Sequence, residues 1–82
     1  MSNSLTLEVI STEKPLYKGR VVLVQLPGAL GSFEIMYNHA PIMAILEKGR
    51  LKVIDEERNK FYIDIESGVV EVHNNHIMVL TP

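Results

Sequence analysis

Residues 68–80 read GVVEVHNNHIMVL, and this stretch decides the fold class. Two apolar, strand-like runs, VVEVH and HIMVL, stand on either side of Asn74-Asn75. Asparagine tolerates a positive φ angle, which the central residues of a two-residue hairpin turn require. The stretch therefore predicts a β-hairpin that opens at Gly68.

A residue period of two also runs through the rest of the chain. Leu5, Leu7 and Val9 alternate with polar residues, as in a half-buried strand. Further strand-like runs, bounded by glycine, proline or polar turns, occupy residues 16–18, 21–26, 33–36, 42–49, 51–53 and 60–66, with the polar loop DEERN at 55–59. For residues 42–49 a strand is favoured over a single helical turn. No helix of useful length is expected. The pattern predicts an all-β fold, either a small β-sandwich or a barrel of eight to ten short strands.

The composition describes one small globular domain, residues 1–82. The apolar fraction is 46%, which is ordinary for such a domain, and the absence of cysteine leaves no disulfide or thiolate metal site. The net charge of −2, with basic and acidic residues interspersed, argues against a nucleic-acid partner. The N-terminus MSNSLTLEVIST lacks the features of a signal peptide, and no apolar run approaches the roughly 20 residues that span a bilayer. We expect a soluble, cytoplasmic domain.

The glycine-rich loop PGALGS (27–32) resembles a phosphate loop only superficially. Its second glycine follows three residues after the first, no lysine comes next, and the following element is a strand. His39 is interpreted as a residue that caps its turn, and His73 and His76 as turn residues without a third zinc ligand. No catalytic, cofactor-binding or metal residue and no small-molecule substrate are therefore predicted.

Several short motifs, in order, resemble the epsilon subunit of the rotary ATP synthase. They are LEVIST-E (7–13), V-x-L-P-G-x-x-G-x-F-x-I (24–35), H-A-P-I (39–42), L-x-x-G-x-L-x-V (46–53), Phe61 followed by G-x-x-E-V (68–72), and a closing V-L (79–80). The resemblance covers residues 5–81. It implies an N-terminal β-sandwich at the foot of the central stalk, which turns with the rotor between the gamma subunit and the c-ring.

The resemblance also implies a non-catalytic role, peripheral on the cytoplasmic face of the cell membrane, in coupling ATP synthesis to proton transport. It assigns two contact surfaces. The c-ring-facing loop would be Gly28, Ala29, Leu30, Gly31, Ser32 and Phe33, and the gamma-facing residues would be His39, Ala40, Ile42 and Ala44. Because the strand IMAIL (42–46) is apolar on both faces, one face must meet a partner. We expect Met43 and Ile45 in the core, and Ile42 and Ala44 outside.

Two departures from the family pattern bear on these expectations. Glu34 stands where most members have glycine, and Ser32 where an acid is common, so the c-ring contact rests on Ser32 or Glu34. Members also carry a C-terminal helical hairpin with an inhibitory role, and in some an ATP site. The 82 residues stop at Thr81-Pro82, so no hairpin is expected in this chain.

Two other readings stay open at this point. One is a free-standing β-sandwich that binds a protein or a small ligand. The other is an OB-like nucleic-acid binder, which would show exposed aromatic residues on a basic face; the acidic balance disfavours it.

Overall fold

The computed structural model describes residues 3–82, and all its regular elements are strands. The eight strands are β1 (Leu5–Ser11), β2 (Pro15–Leu26), β3 (Phe33–Met36), β4 (Ile42–Leu46), β5 (Gly49–Asp55), β6 (Lys60–Ile65), β7 (Gly68–His73) and β8 (His76–Thr81). The all-β prediction is therefore confirmed. The predicted bounds 1–82 include Met1 and Ser2, which lie outside the described residues. Among residues 3–82 we find no helix long and apolar enough to cross a membrane.

The strands follow the order β4-β7-β8-β1-β2-β5-β6, and β3 pairs with β2 beside this path. The pair β1–β8 is parallel and the other pairs are antiparallel. The first half of β2 pairs with β1, and its second half pairs with β3 and β5. Strand β2 is thus shared by the two halves of the curled sheet, which close on each other as a β-sandwich.

One hydrophobic core lies between the two halves. Alternate residues of the strands are buried there, because successive side chains of a strand point to opposite faces. The core residues are Leu5, Leu7, Val9, Val21, Val24, Leu26, Ile35, Leu46, Leu51, Val53, Ile65, Val70, Val72, Ile77 and Val79. The predicted alternation in β1 and in the β7–β8 hairpin is confirmed.

The sequence predicts two separate strands at residues 16–18 and 21–26. The structure has one continuous strand there, β2, because Gly19 does not interrupt it. The Tyr17 ring lies over Gly19, where a Cβ would come within 2.5 Å of the tyrosine hydroxyl, and also packs on Phe61. A shift of register between Val21 and Leu23 marks a β-bulge. The bulge explains why Val21 and Val24 are both buried although two residues separate them, a spacing that would put them on opposite faces of a regular strand.

The Asn74-Asn75 turn has the predicted conformation. Both residues have positive φ, 50° and 59°, as a two-residue hairpin turn requires. His73 and His76 lie opposite each other across the hairpin. The predicted turn at DEERN is also confirmed, and the Asp55 carboxylate accepts the backbone N–H groups of Glu57 and Asn59, at 2.9 Å each.

Candidate functional site

The loop Gly28–Phe33 has a buried base and an exposed tip. Gly28 is buried, Leu30 is fully exposed at the tip, and Phe33 is half-buried where β3 begins. A Cβ at Gly28 would lie 2.5 Å from the Gly31 carbonyl oxygen and 2.8 Å from the Phe33 ring, so only glycine fits there. Gly31 has a φ of 132°, which other residues rarely adopt. The two glycines thus allow a tight loop that projects Leu30 into solvent.

Backbone hydrogen bonds fix this loop to the edge of β4. Ala29 N–H donates to the Ile45 carbonyl at 2.9 Å, and Glu47 N–H donates to the Pro27 carbonyl at the same distance. Between them Gly28 forms a bridge with Leu46. The loop therefore continues the sheet at an edge that would otherwise be open. Strand β4 ends at Leu46, opposite Gly68 where β7 begins, and so stops short of the predicted 49.

The two faces of β4 are the reverse of the prediction. Met43 and Ile45 are 74% and 68% exposed, whereas Ile42 and Ala44 are half-buried and pack against the core. The expected placement of Met43 and Ile45 in the core, with Ile42 and Ala44 outside, is wrong. The register supplies the reason: Met43 lies opposite Glu71, whose charge requires the solvent face.

An exposed apolar row crosses four neighbouring strands on this outer face. Ile45 of β4 lies opposite Val69 of β7, Val69 opposite Leu80 of β8, and Leu80 beside Ile10 of β1. Ile45, Val69 and Leu80 are each at least 42% exposed, and Ile10 is half-buried. We call Ile10, Ile45, Val69 and Leu80 the apolar row. Contiguous exposed apolar surface of this kind is typical of an interaction site.

An open apolar groove of about 790 Å³ lies between the loop tip and β4. The residues that line it come from the loop, from β4 and from β7, and they are Gly28, Ala29, Leu30, Gly31, Phe33, Ile42, Met43, Ala44, Ile45 and Val69. The structure thus brings most of the predicted c-ring-facing residues next to the predicted gamma-facing residues Ile42 and Ala44. His39 and Ala40 do not line this groove and precede the opposite end of β4.

His39 caps its own turn, as predicted. Its Nδ1 lies 2.7 Å from the Ala40 carbonyl oxygen, and its backbone N–H donates to the Met36 carbonyl at 3.1 Å. Ala40 and Pro41 are exposed before β4 begins at Ile42. The His39–Pro41 turn therefore presents a fixed, accessible surface at the start of β4.

Polar side chains surround a separate cleft near the β7–β8 turn. His76 Nε2 lies 2.9 Å from Glu8 Oε1, and Arg20 donates to the hydroxyl groups of Ser4 and Thr6. Across residues 3–82 we find no group of three or more side chains placed to hold a metal ion.

Sequence reasoning missed the apolar row, because no single strand reveals it. The sequence pattern predicts Met43 and Ile45 in the core, and it indicates only that Val69 and Leu80 belong to strands. The signal lies in the pairing: the acid Glu71 occupies the same outer face as Met43, Val69 and Leu80.

Comparison with known proteins identifies the family. Residues 4–82 match the model of the ATP synthase delta/epsilon chain β-sandwich domain. The ATP synthase epsilon chain of Leptospira interrogans is 44% identical over 98% of this chain, and that of Lawsonia intracellularis 41% over 99%. The chain spans 62% and 60% of those two proteins. The Caulobacter vibrioides epsilon chain is 36% identical, with 87% of its length covered.

Two solved structures share the fold. A chain in the cryo-EM structure of the Euglena gracilis mitochondrial ATP synthase (OSCP/F1/c-ring) superimposes with a TM-score of 0.90 at 18% identity, over 99% of this chain and 52% of that one. A chain in the central stalk/c-ring structure of the Tetrahymena thermophila enzyme gives a TM-score of 0.75 at 15% identity, over 94% and 62%. The match to the family model across residues 4–82 is decisive: this chain belongs to the ATP synthase delta/epsilon chain β-sandwich domain family.

Proposed function

We propose that this chain is the β-sandwich of a non-catalytic central-stalk subunit of the proton-translocating ATP synthase. In this role it joins the gamma subunit to the c-ring and turns with them, so that ATP synthesis is coupled to proton transport. It lies at the cytoplasmic face of the cell membrane and reaches the membrane through the c-ring. The observation that carries the proposal is the family match over residues 4–82, on a domain that presents an exposed apolar row.

The gamma contact is assigned to the outer face of the sheet at β4. The apolar row and Met43 form an apolar surface on the outer face of the sheet. The other exposed large apolar side chains, Leu16, Leu30, Met36, Tyr37 and Tyr62, are not part of this surface. The His39–Pro41 turn borders the same strand and belongs to this contact. Ile42 and Ala44 support it from the core side, because their side chains pack inward.

The c-ring contact is assigned to the loop Gly28–Phe33. Its tip is exposed, and Leu30 projects without any cover from the domain. Ser32 and Glu34 are both exposed beside the tip, so either can add a polar contact. The backbone hydrogen bonds to β4 support a loop that keeps its place under load.

A binding experiment tests the proposal. The purified chain is immobilised and exposed to the gamma subunit and, separately, to detergent-solubilised c-ring from the same organism. We expect gamma to be retained at micromolar concentration and the c-ring to be retained once gamma is bound. A Leu30→Ser variant should lose the c-ring and keep gamma. Retention of neither partner would overturn the assignment in favour of a free-standing binding module.

A further inference from the structure

Two asparagines that are 37 residues apart in sequence hold each other through their side chains. Asn38 lies in the turn after β3, and Asn75 lies in the β7–β8 turn. The Asn38 backbone N–H donates to Asn75 Oδ1 at 2.6 Å, and Asn75 Nδ2 donates to Asn38 Oδ1 at 3.2 Å. We call this pair of hydrogen bonds the asparagine clasp.

Both ends of the clasp are set by the backbone. Asn38 and Asn75 have φ angles of 63° and 59°, a conformation that asparagine adopts more readily than most residues. The Asn75 carbonyl accepts the Thr6 N–H at 3.0 Å, which ties the hairpin turn to β1. Asn75 is therefore fixed to the sheet, whereas Asn38 belongs to the connection that follows β3.

The clasp acts on the segment that leads to the proposed gamma contact. Asn38 immediately precedes His39, whose N–H closes the turn onto the Met36 carbonyl. This connection runs from β3, which pairs with β2, to β4, which pairs with β7 on the other side of the sheet path. Bonds from Asn75 to Asn38 thus fix where the His39–Pro41 turn lies relative to the β7–β8 hairpin.

We propose that Asn75 is a positioning residue for the His39–Pro41 turn and thereby for gamma binding, an inference that rests on the proposed function. Its carboxamide contacts the turn through Asn38 and sets the location of His39 and Ala40 before gamma arrives. Preorganisation of this kind raises affinity because the turn does not have to be ordered on binding.

The test separates the side chain of Asn75 from its backbone conformation. Asn75→Gly keeps access to positive φ and removes the carboxamide, and Asn74→Gly is the matched control, since Asn74 shares the turn with a φ of 50° and takes no part in the clasp. Loss of one or two neutral hydrogen bonds should weaken gamma binding by roughly two- to tenfold in Asn75→Gly, and by less than twofold in Asn74→Gly. Asn38→Gly combined with Asn75→Gly should weaken it no further than Asn75→Gly alone, because Asn75→Gly already removes both hydrogen bonds of the clasp.

A second measurement does not require gamma. In amide NMR spectra of the free chain, Asn75→Gly should shift the His39 and Ala40 resonances and speed hydrogen exchange at Asn38, whereas Asn74→Gly should leave both as in the wild type. Unchanged His39 and Ala40 resonances, or equal gamma affinity of the two variants, overturns the positioning role. A wild-type chain that fails to bind gamma overturns the proposed function instead, and the NMR comparison still decides whether Asn75 positions the turn.

Discussion

The same substitution at two neighbouring residues of β4 should lower the free energy of unfolding by different amounts. Ile45 is 68% exposed in the apolar row, and Ala44 packs against the core. Isoleucine favours strands more than alanine does, so strand propensity alone would make Ile45→Asp the more destabilising of the two variants, whereas burial predicts the reverse order. The difference between Ile45→Asp and Ala44→Asp therefore reports which face of the strand is buried.

The expected magnitudes follow from burial. Complete burial of an isoleucine side chain is worth about 1.5–3 kcal/mol, and about one third of Ile45 is covered, so Ile45→Asp should lower the free energy of unfolding by about 0.5–1 kcal/mol. Ala44→Asp places a carboxylate against the core without a partner and should cost about 2–4 kcal/mol. For a domain of this size, each 1 kcal/mol lowers Tm by about 4–8 °C.

Ile45→Asp, which should stay folded, should nevertheless lose affinity for gamma. If the apolar row is the contact, Ile45→Asp buries an unpaired charge there, which typically costs at least about 2 kcal/mol, or roughly thirtyfold in Kd. The assay pairs thermal unfolding, followed by circular dichroism, with calorimetric titration of gamma, both on the same preparations. Glu47→Gln, an exposed change just beyond β4, is the control and should leave both quantities near the wild-type values.

Two results would refute the reasoning. Equal losses of Tm for Ile45→Asp and Ala44→Asp would mean that the faces of β4 are not as the register places them. A stable Ile45→Asp variant that binds gamma with wild-type affinity would move the contact away from the apolar row.

Three further predictions concern the fold and the glycine-rich loop. Gly68→Ala should lower the free energy of unfolding by about 1–3 kcal/mol in urea titrations, because its Cβ would lie 2.6 Å from the Leu80 carbonyl oxygen; the exposed neighbour change Ser67→Ala should be close to neutral. Hydrogen bonds to the Asp55 carboxylate, of which that from the Asn59 backbone N–H has the largest effect, lower the pKa of Asp55 from 3.8. The ionised carboxylate therefore contributes to stability above that pH, and this contribution is lost as the pH falls through the folded-state pKa. Asp55→Asn should therefore show a shallower loss of stability on acidification, and equal pH profiles would contradict this. Calorimetric titration with Mg-ATP should give no saturable heat, since a strand and not a helix N-terminus follows the loop at residue 33; micromolar binding would contradict it.

Local signals were sufficient to predict most of the strands. The bounds of β3 and the Asn74-Asn75 turn followed from residue alternation and from the φ preference of asparagine, both of which act over a few residues. The continuity of β2 was missed because glycine usually weakens a strand. The Tyr17 ring packs over Gly19 and covers the backbone there, which offsets the missing side chain. This contact cannot be predicted from the residue pattern.

The candidate site depends on pairings between distant parts of the chain. IMAIL is apolar at every position, so its buried face cannot be read from the strand alone. Only the register, which places Met43 opposite Glu71, distinguishes the two faces. The asparagine clasp is likewise a contact between turns that are far apart in sequence. Each asparagine is explained by the ordinary preference of that residue for turns, so the sequence does not indicate that the two meet. The family resemblance implied that Ile42 and Ala44 face outward, whereas the structure exposes Met43 and Ile45 instead.

The proposed gamma and c-ring surfaces are mechanically linked through the backbone. Ala29 donates to Ile45 and Glu47 donates to Pro27, so the loop that carries Leu30 cannot move away from β4 without breaking two hydrogen bonds. Each such bond contributes about 0.5–1.5 kcal/mol net, and the bridge between Gly28 and Leu46 lies between them. A force applied at Leu30 is therefore transmitted to the strand whose outer face carries Ile45. Since these bonds use the main chain, Ile45→Asp should weaken the gamma contact while the loop stays attached, which separates damage to a binding surface from loss of the link between the two surfaces.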